Sequence, residues 1–361
     1  MPMADHPDHP VLFLPGPTEV DAELRQIMAT PLVGHRSAGF VACVQDVCKR
    51  LQPLFATRAH AAFETCPATA LMEAAIRNLV PHGGLTLHLS GGAFAERWAK
   101  ISGYCGRQPE SLLSTWGSPS DPDALVARLK HGPHPAAVMI THNETSTGVL
   151  QPLQQLAAVV HEHAPQALVI VDAVTSLAGA ELQFDAWGID LAFAGTQKCL
   201  ALPPGLTVYA LSERAMQEAA KVTDRGFLLD FVRAVPDTVA GKPLATPCVP
   251  LVLALQHQLR RIEQEGLAAR WQRHRAMRDA THAFAASHQI APYVSNAAAR
   301  SMTVSCFHAS GRDVKQMAER ASAAGYKIDQ GYGDLKGKTF RIGHMGDHTV
   351  ARLQQCLATL L

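Results

Sequence analysis

Apolar residues recur along this chain in two rhythms. Short, mostly apolar runs at 85–89, 136–141, 168–171, 191–194 and 206–210 are the length of strands, and the unbroken run 168–171 suits a strand buried on both faces of a parallel sheet. Between them the spacing changes to three and four. Met72, Ala75, Ile76 and Leu79 form one such stripe, and Leu153, Leu156, Ala157 and Val160, with Pro152 near the start, form another. A further helical pattern runs over 40–55. Strand and helix in alternation predict an α/β fold around a largely parallel sheet.

The pattern changes after residue 220. Gly241, Pro243, Pro247 and Pro250 break the stretch 221–250, and a long helix follows with Val252, Leu255, Leu259 and Ile262 on one face, interrupted at Gly266. The basic stretch 270–278, which holds Trp271, His274 and Arg275 among acidic neighbours, reads as a solvated helix face. A smaller α+β region is expected beyond it: strand 301–307, helix 313–324, strand 339–342 and a last helix from 349 with Val350, Leu353, Leu357 and Leu360 in its stripe. At the other end Pro15-Gly16-Pro17 cannot be helical and predicts an extended arm, with Thr18 or Asp21 capping the first helix. The expected organisation is therefore an arm (1–20), a large domain (21–250) and a small C-terminal domain (251–361).

Composition narrows the partners. Lysine and arginine number 32 against 31 acidic residues in 361, a formal charge of +1, so nothing in the charge argues for nucleic acid or an anionic membrane, and small metabolites are the expected ligands. Eight cysteines without CxxC spacing fit buried thiols in a reducing compartment. No signal-peptide pattern and no apolar run of about 18 residues is present, which leaves a cytoplasmic location as the expectation. His161-Glu162-His163 has the wrong spacing for one helix face, so no metal is expected there.

Two charged residues fall where an α/β sheet binds ligands. Asp172 closes the run 168–171, and Lys198 follows the run 191–194 on a loop, Gly195-Thr196-Gln197-Lys198, that Pro203-Pro204-Gly205 must turn. Pyridoxal phosphate needs such a pair: a lysine to hold its aldehyde as a Schiff base and a carboxylate to keep its pyridine nitrogen protonated. The entry to the helix carrying Met72, Thr65-Cys66-Pro67-Ala68-Thr69, offers backbone N–H groups and the Thr69 hydroxyl to a phosphate, although a plain helix cap explains it as well. His35 and Arg36 read as a solvated loop pair. Gly91-Gly92 raises a dinucleotide site, but GxGxxG spacing is absent.

Taken together with Gly91-Gly92-Ala93-Phe94, the segments THNETSTGVLQPL (141–153), VDAVTSLAGAELQFDAWGID (171–190) and GTQK (195–198) followed by PPG carry a resemblance. The chain resembles the class V aminotransferases of pyridoxal phosphate fold type I, and among them the alanine–glyoxylate and serine–glyoxylate (serine–pyruvate) enzymes, from Pro15 to Gly343. The resemblance implies Lys198 as the Schiff-base lysine, Asp172 as the pyridinium partner, Phe94 stacked on the ring and Thr145 beside the ring hydroxyl. It further implies Ala68, Thr69 and Gln197 at the phosphate, with Thr246 contributed across a homodimer interface, and Arg341 on the substrate carboxylate.

The chain also departs from the family pattern. Cys66-Pro67-Ala68 stands where relatives carry Ser-Gly-x-Gly, Pro243 and Leu244 stand where they often carry an aromatic or polar phosphate ligand, and Phe94 where some carry Trp. The alternatives within the same fold are a cysteine desulfurase or lyase and a catalytically inactive binding protein. Desulfurases place a His before the lysine and a mobile Cys in the second domain. Here Gln197 precedes it, and Cys306 lies in an expected strand.

Overall fold

A computed structural model describes residues 9–361; the first eight residues of the expected arm lie outside the described residues. Its centre is a seven-stranded sheet made of β1 (His60–Glu64), β2 (Leu85–Ser90), β3 (Gln108–Leu113), β4 (Ala137–Thr141), β5 (Leu168–Asp172), β6 (Leu191–Gly195) and β7 (Thr207–Leu211), in the order β1-β7-β6-β5-β4-β2-β3. All neighbours pair in parallel except β7, which runs antiparallel to both β1 and β6.

The unbroken apolar runs follow from helices on both faces. Alternate residues of one strand enter different cores: Val138, Ile140, Val169, Val171, Ala192 and Ala194 pack into one, Ala137, Met139, Leu168, Ile170, Leu191 and Phe193 into the other. The helices Ala38–Phe55, Leu153–His163 and Val249–Glu265 cover the first face, and Ala68–Leu79 with Glu213–Lys221 and Phe231–Val239 the second. With period two on a strand and apolar cover above and below, most positions are apolar, and buried polar exceptions such as Thr86 and His88 in β2 bond to one another. β1 and β3 escaped the sequence pattern for a reason. They are the two edge strands, and β3 alternates between exposed and half-buried residues with no apolar run to see.

Connectivity locates the functional crevice. From β2 the chain passes outward to its neighbour β3, whereas from β4 it passes to β5 on the opposite side, so the order reverses between β2 and β4. Loops leaving the carboxyl ends of these strands diverge there and leave a cleft.

The C-terminal region has its own core. Strand Val304–His308 pairs antiparallel with Thr339–Gly343, and Phe307, Phe340, Ile342, Leu353, Leu357 and Leu360 share a cluster with Phe13 from the arm. The arm is laid along this region: Val11–Leu12 pairs in parallel with Tyr326–Lys327, and Gly343 N donates to Phe13 O at 2.8 Å. Asp21 caps the first helix by accepting from Glu23 N at 2.9 Å, while the Thr18 hydroxyl turns inward to Met345 O.

The reading of 270–278 as a solvated face is corrected. Arg270 is 2% exposed and His274 is fully buried. The Arg270 guanidinium pairs with Glu265 (2.7 Å) and Asp347 (2.9 Å) and donates to Cys199 O, so neutralisation by two carboxylates lets a basic residue occupy the interior. His274 Nδ1 donates to Arg270 O and Nε2 accepts from Gly346 N, which fixes it as neutral, in line with a pKa that burial holds well below the ordinary value.

Candidate active site

At the end of β2 the chain passes through Gly91 and Gly92 into the helix Ala93–Tyr104, whose N-cap offers no side-chain acceptor. Glu144 supplies it from the loop after β4. Its carboxylate accepts from Phe94 N and Ala95 N at 3.2 Å each, from Ser146 N at 3.0 Å and from Ser146 Oγ at 2.6 Å. A side chain at position 92 would overlap this carboxylate, so glycine there permits the approach. These bonds set Phe94 on the first helical turn.

β5 ends at Asp172, which is paired in register with Thr141 and is 4% exposed. Its Oδ1 accepts from Val174 N at 2.8 Å. Burial pushes its pKa up to about 7; the Val174 N–H opposes that, Glu144 reinforces it, and Lys198 and Arg97 oppose it. Beyond β6, Thr196 Oγ1 donates to Pro203 O at 2.8 Å, which shapes the turn that carries Lys198. Lys198 is 8% exposed and its Nζ donates to Pro15 O of the arm. Gly16 lies so close that a Cβ would overlap the lysine side chain. Burial, followed by the charge of Arg341, lowers the Lys198 pKa to about 8, which poises the amine near neutral pH.

Arg341 enters from strand Thr339–Gly343. Its Nε donates to Asp329 Oδ1 and its Nη1 to Thr145 O, both at 2.7 Å, while Nη2 has no hydrogen-bond partner among the described residues. The Thr145 hydroxyl shares a 2.6 Å bond with Thr175. Phe94 stacks on Tyr332 with ring centroids 5.4 Å apart, and the hydroxyl of Tyr332 accepts from Arg97 Nη2 at 2.8 Å.

The residues expected at a phosphate divide. Ala68 and Thr69 open the helix Ala68–Leu79 behind Pro67, which contributes no side-chain cap, so the first backbone N–H groups face outward for an anion. Gln197 adjoins Lys198, and its carbonyl accepts from Thr18 N at 3.1 Å. Thr246 is exposed and lines a cleft with Glu64 and Thr65 instead of packing on the lysine. Cys306 pairs with Arg341 across the strands, is 3% exposed, and has its thiol pushed up to about 12 by burial, so it is a fixed and unreactive group.

The family model "Aminotransferase class-V" matches residues 97–332. An uncharacterized aminotransferase of Methanocaldococcus jannaschii is 34% identical over 97% of this chain and 90% of its own length. This chain belongs to the class V aminotransferases. A serine–glyoxylate aminotransferase of Methylorubrum extorquens is 28% identical over 93% of the chain and 86% of its own. The crystal structure of an alanine–glyoxylate aminotransferase from Nostoc sp. superposes with a TM-score of 0.92 at 29% identity, over 100% of this chain and 96% of that one. No helix among the described residues is long and apolar enough to cross a membrane.

The cofactor of this aminotransferase is pyridoxal 5′-phosphate, and the residues present fit it. Buried polar atoms stand without partners at or just beyond the ends of β2, β4 and β5: Ser90 Oγ, Thr141 Oγ1, Asn143 Nδ2 and Ser176 Oγ. Such atoms are the mark of a site built for a polar guest. Four participants escaped sequence reasoning: Glu144, Arg97, Tyr332 and the Pro15 carbonyl. Glu144 lay inside a quoted motif, and a buried acid two residues before a serine was the available signal. Tyr332 had none, because its contacts lie 238 residues away in sequence at Phe94.

Proposed function

We propose that this aminotransferase moves an amino group from a small amino acid, alanine or serine, to a 2-oxo acid such as glyoxylate or pyruvate. The observation that carries the reading is the grouping of a buried Lys198, whose pKa is lowered to about 8, with a buried Asp172 and with Arg341, whose charges both act on the amine. Pyridoxal phosphate supplies an electron sink for charge developing at the substrate Cα.

The chain's residues do the rest. The Lys198 amine would hold the cofactor and carry the proton at the substrate Cα; its pKa, lowered by burial to about 8, suits both taking and returning it. Asp172, buried at the end of β5, would keep the ring nitrogen protonated. Phe94 provides a π-face, and Thr145 a hydroxyl beside the ring oxygen. Ala68, Thr69 and Gln197 hold the phosphate, with Thr246 supplied by a second copy in a homodimer. The planar Nη2 edge of Arg341 takes the substrate carboxylate. Eight unpaired cysteines support a reducing, cytoplasmic setting.

The test is a screen of amino donors against glyoxylate, pyruvate and 2-oxoglutarate, run beside Lys198→Ala. Turnover of alanine or serine with glyoxylate, abolished in Lys198→Ala together with borohydride-trappable cofactor, is the expected result. Wild-type turnover surviving in the variant overturns the assignment.

A further inference from the structure

Tyr332 stands between Phe94, the proposed π-face for the cofactor, and Arg341, the proposed partner of the substrate carboxylate. On one side its ring stacks on Phe94 at 5.4 Å between centroids and 29° between planes. The guanidinium carbon of Arg341 also stands 5.4 Å from its centroid. The hydroxyl is fixed by Arg97, whose guanidinium lies 4.9 Å over the Phe94 ring and pairs with no carboxylate among the described residues. The segment is tied in as well, because Asp329, three residues earlier, is the ion-pair partner of Arg341.

A substrate whose carboxylate is held by Arg341, with its Cα directed toward Lys198, carries its side chain into space that this phenol bounds. The ring cannot yield without giving up the stacking on Phe94 and the hydrogen bond from Arg97. A long side chain therefore meets a fixed wall, whereas a hydrogen, methyl or hydroxymethyl clears it. We propose that Tyr332, held in place by Arg97, is a specificity-determining residue that restricts the amino donor to short side chains. The proposal rests on the transaminase reading given above and deepens it.

The experiment compares wild type, Tyr332→Ala and Tyr332→Phe, each loaded with pyridoxal phosphate. The kcat/KM of norvaline is measured relative to that of alanine, with glyoxylate as acceptor. In parallel, calorimetry gives the affinity of each protein for two unreactive carboxylates, propionate and pentanoate. Tyr332→Ala raises the norvaline-to-alanine ratio about tenfold or more and tightens pentanoate relative to propionate. Tyr332→Phe keeps the ring on Phe94 but loses the bond from Arg97, and so raises the ratio by less than Tyr332→Ala. Unchanged ratios in Tyr332→Ala, by kinetics and by calorimetry, overturn the proposal. If wild type transaminates no small amino acid, the functional reading fails and the calorimetric ratio alone decides the role of Tyr332.

Discussion

Replacing Glu144 by alanine tests how Phe94, the proposed aromatic wall of the cofactor, is held. The carboxylate accepts three backbone N–H groups and one hydroxyl in the interior, and Glu144 is 2% exposed. Loss of a helix cap costs about 0.5–2 kcal/mol, and each buried N–H left without a partner about 1–3 kcal/mol. Two effects offset these. Burial disfavours the charged carboxylate, as its raised pKa shows, and water can enter the vacated volume. The net expectation is a loss of about 2–4 kcal/mol.

The pH dependence has a defined sign. With its folded pKa above the ordinary 4.5, Glu144 binds protons more tightly in the folded chain, so its contribution is fullest below that value and wanes as pH rises through the folded pKa. The penalty of Glu144→Ala is thus larger in acid than in mild alkali. Urea unfolding across pH measures it, and visible titration with pyridoxal phosphate reports whether Phe94 still forms the wall. Glu144→Gln keeps an acceptor oxygen and costs less. If Glu144→Ala unfolds within about 1 kcal/mol of wild type and binds cofactor equally well, Glu144 does not hold the helix start and the reasoning is refuted.

Other residues give independent checks. Burial pushes Glu64 up to about 8 against the opposing Tyr209 hydroxyl, so wild-type stability falls by about 1.4 kcal/mol per pH unit between 4.5 and 8, and Glu64→Gln removes that slope in chemical denaturation. Arg341→Lys loses the planar fork and the Asp329 contact, and raises KM for carboxylate substrates about tenfold or more in steady-state assays, with cofactor absorbance unchanged. Arg270→Met leaves Glu265 to Arg273 and Asp347 to Gln258 and Arg261, and lowers unfolding free energy by about 1–3 kcal/mol in chemical denaturation.

Asp172 and Lys198 were legible in the sequence because Asp172 ends a strand buried on both faces and Lys198 follows such a strand on its loop, where an apolar run gives way to a charge. The same logic found β2, β4, β5, β6 and β7 and missed β1 and β3, whose outer edges have no strand to cover them. Arg270 and His274 were misread because their burial depends on partners: Asp347 lies 77 residues further on. A helix pattern reports a residue's own polarity and is silent about a distant carboxylate. Tyr332 was invisible for the same reason, and Glu144 was visible only as part of a motif whose mechanical role needed the coordinates.

The arm that reaches Lys198 has a consequence for the order of events in the cell. Phe13 packs with Leu353 and Leu360, and the residue that meets the lysine amine, Pro15, sits between Phe13 and the cis-linked Gly16-Pro17. The segments it rests on are made hundreds of residues later. The sheet and its strand ends can form during synthesis, since their contacts lie within the first part of the chain. The enclosure around Lys198 cannot, because Arg341 and the bed for the arm are made only after the whole sheet. Until then the amine is open to the surroundings, and the arm must stay unattached while it waits for a later part of the chain.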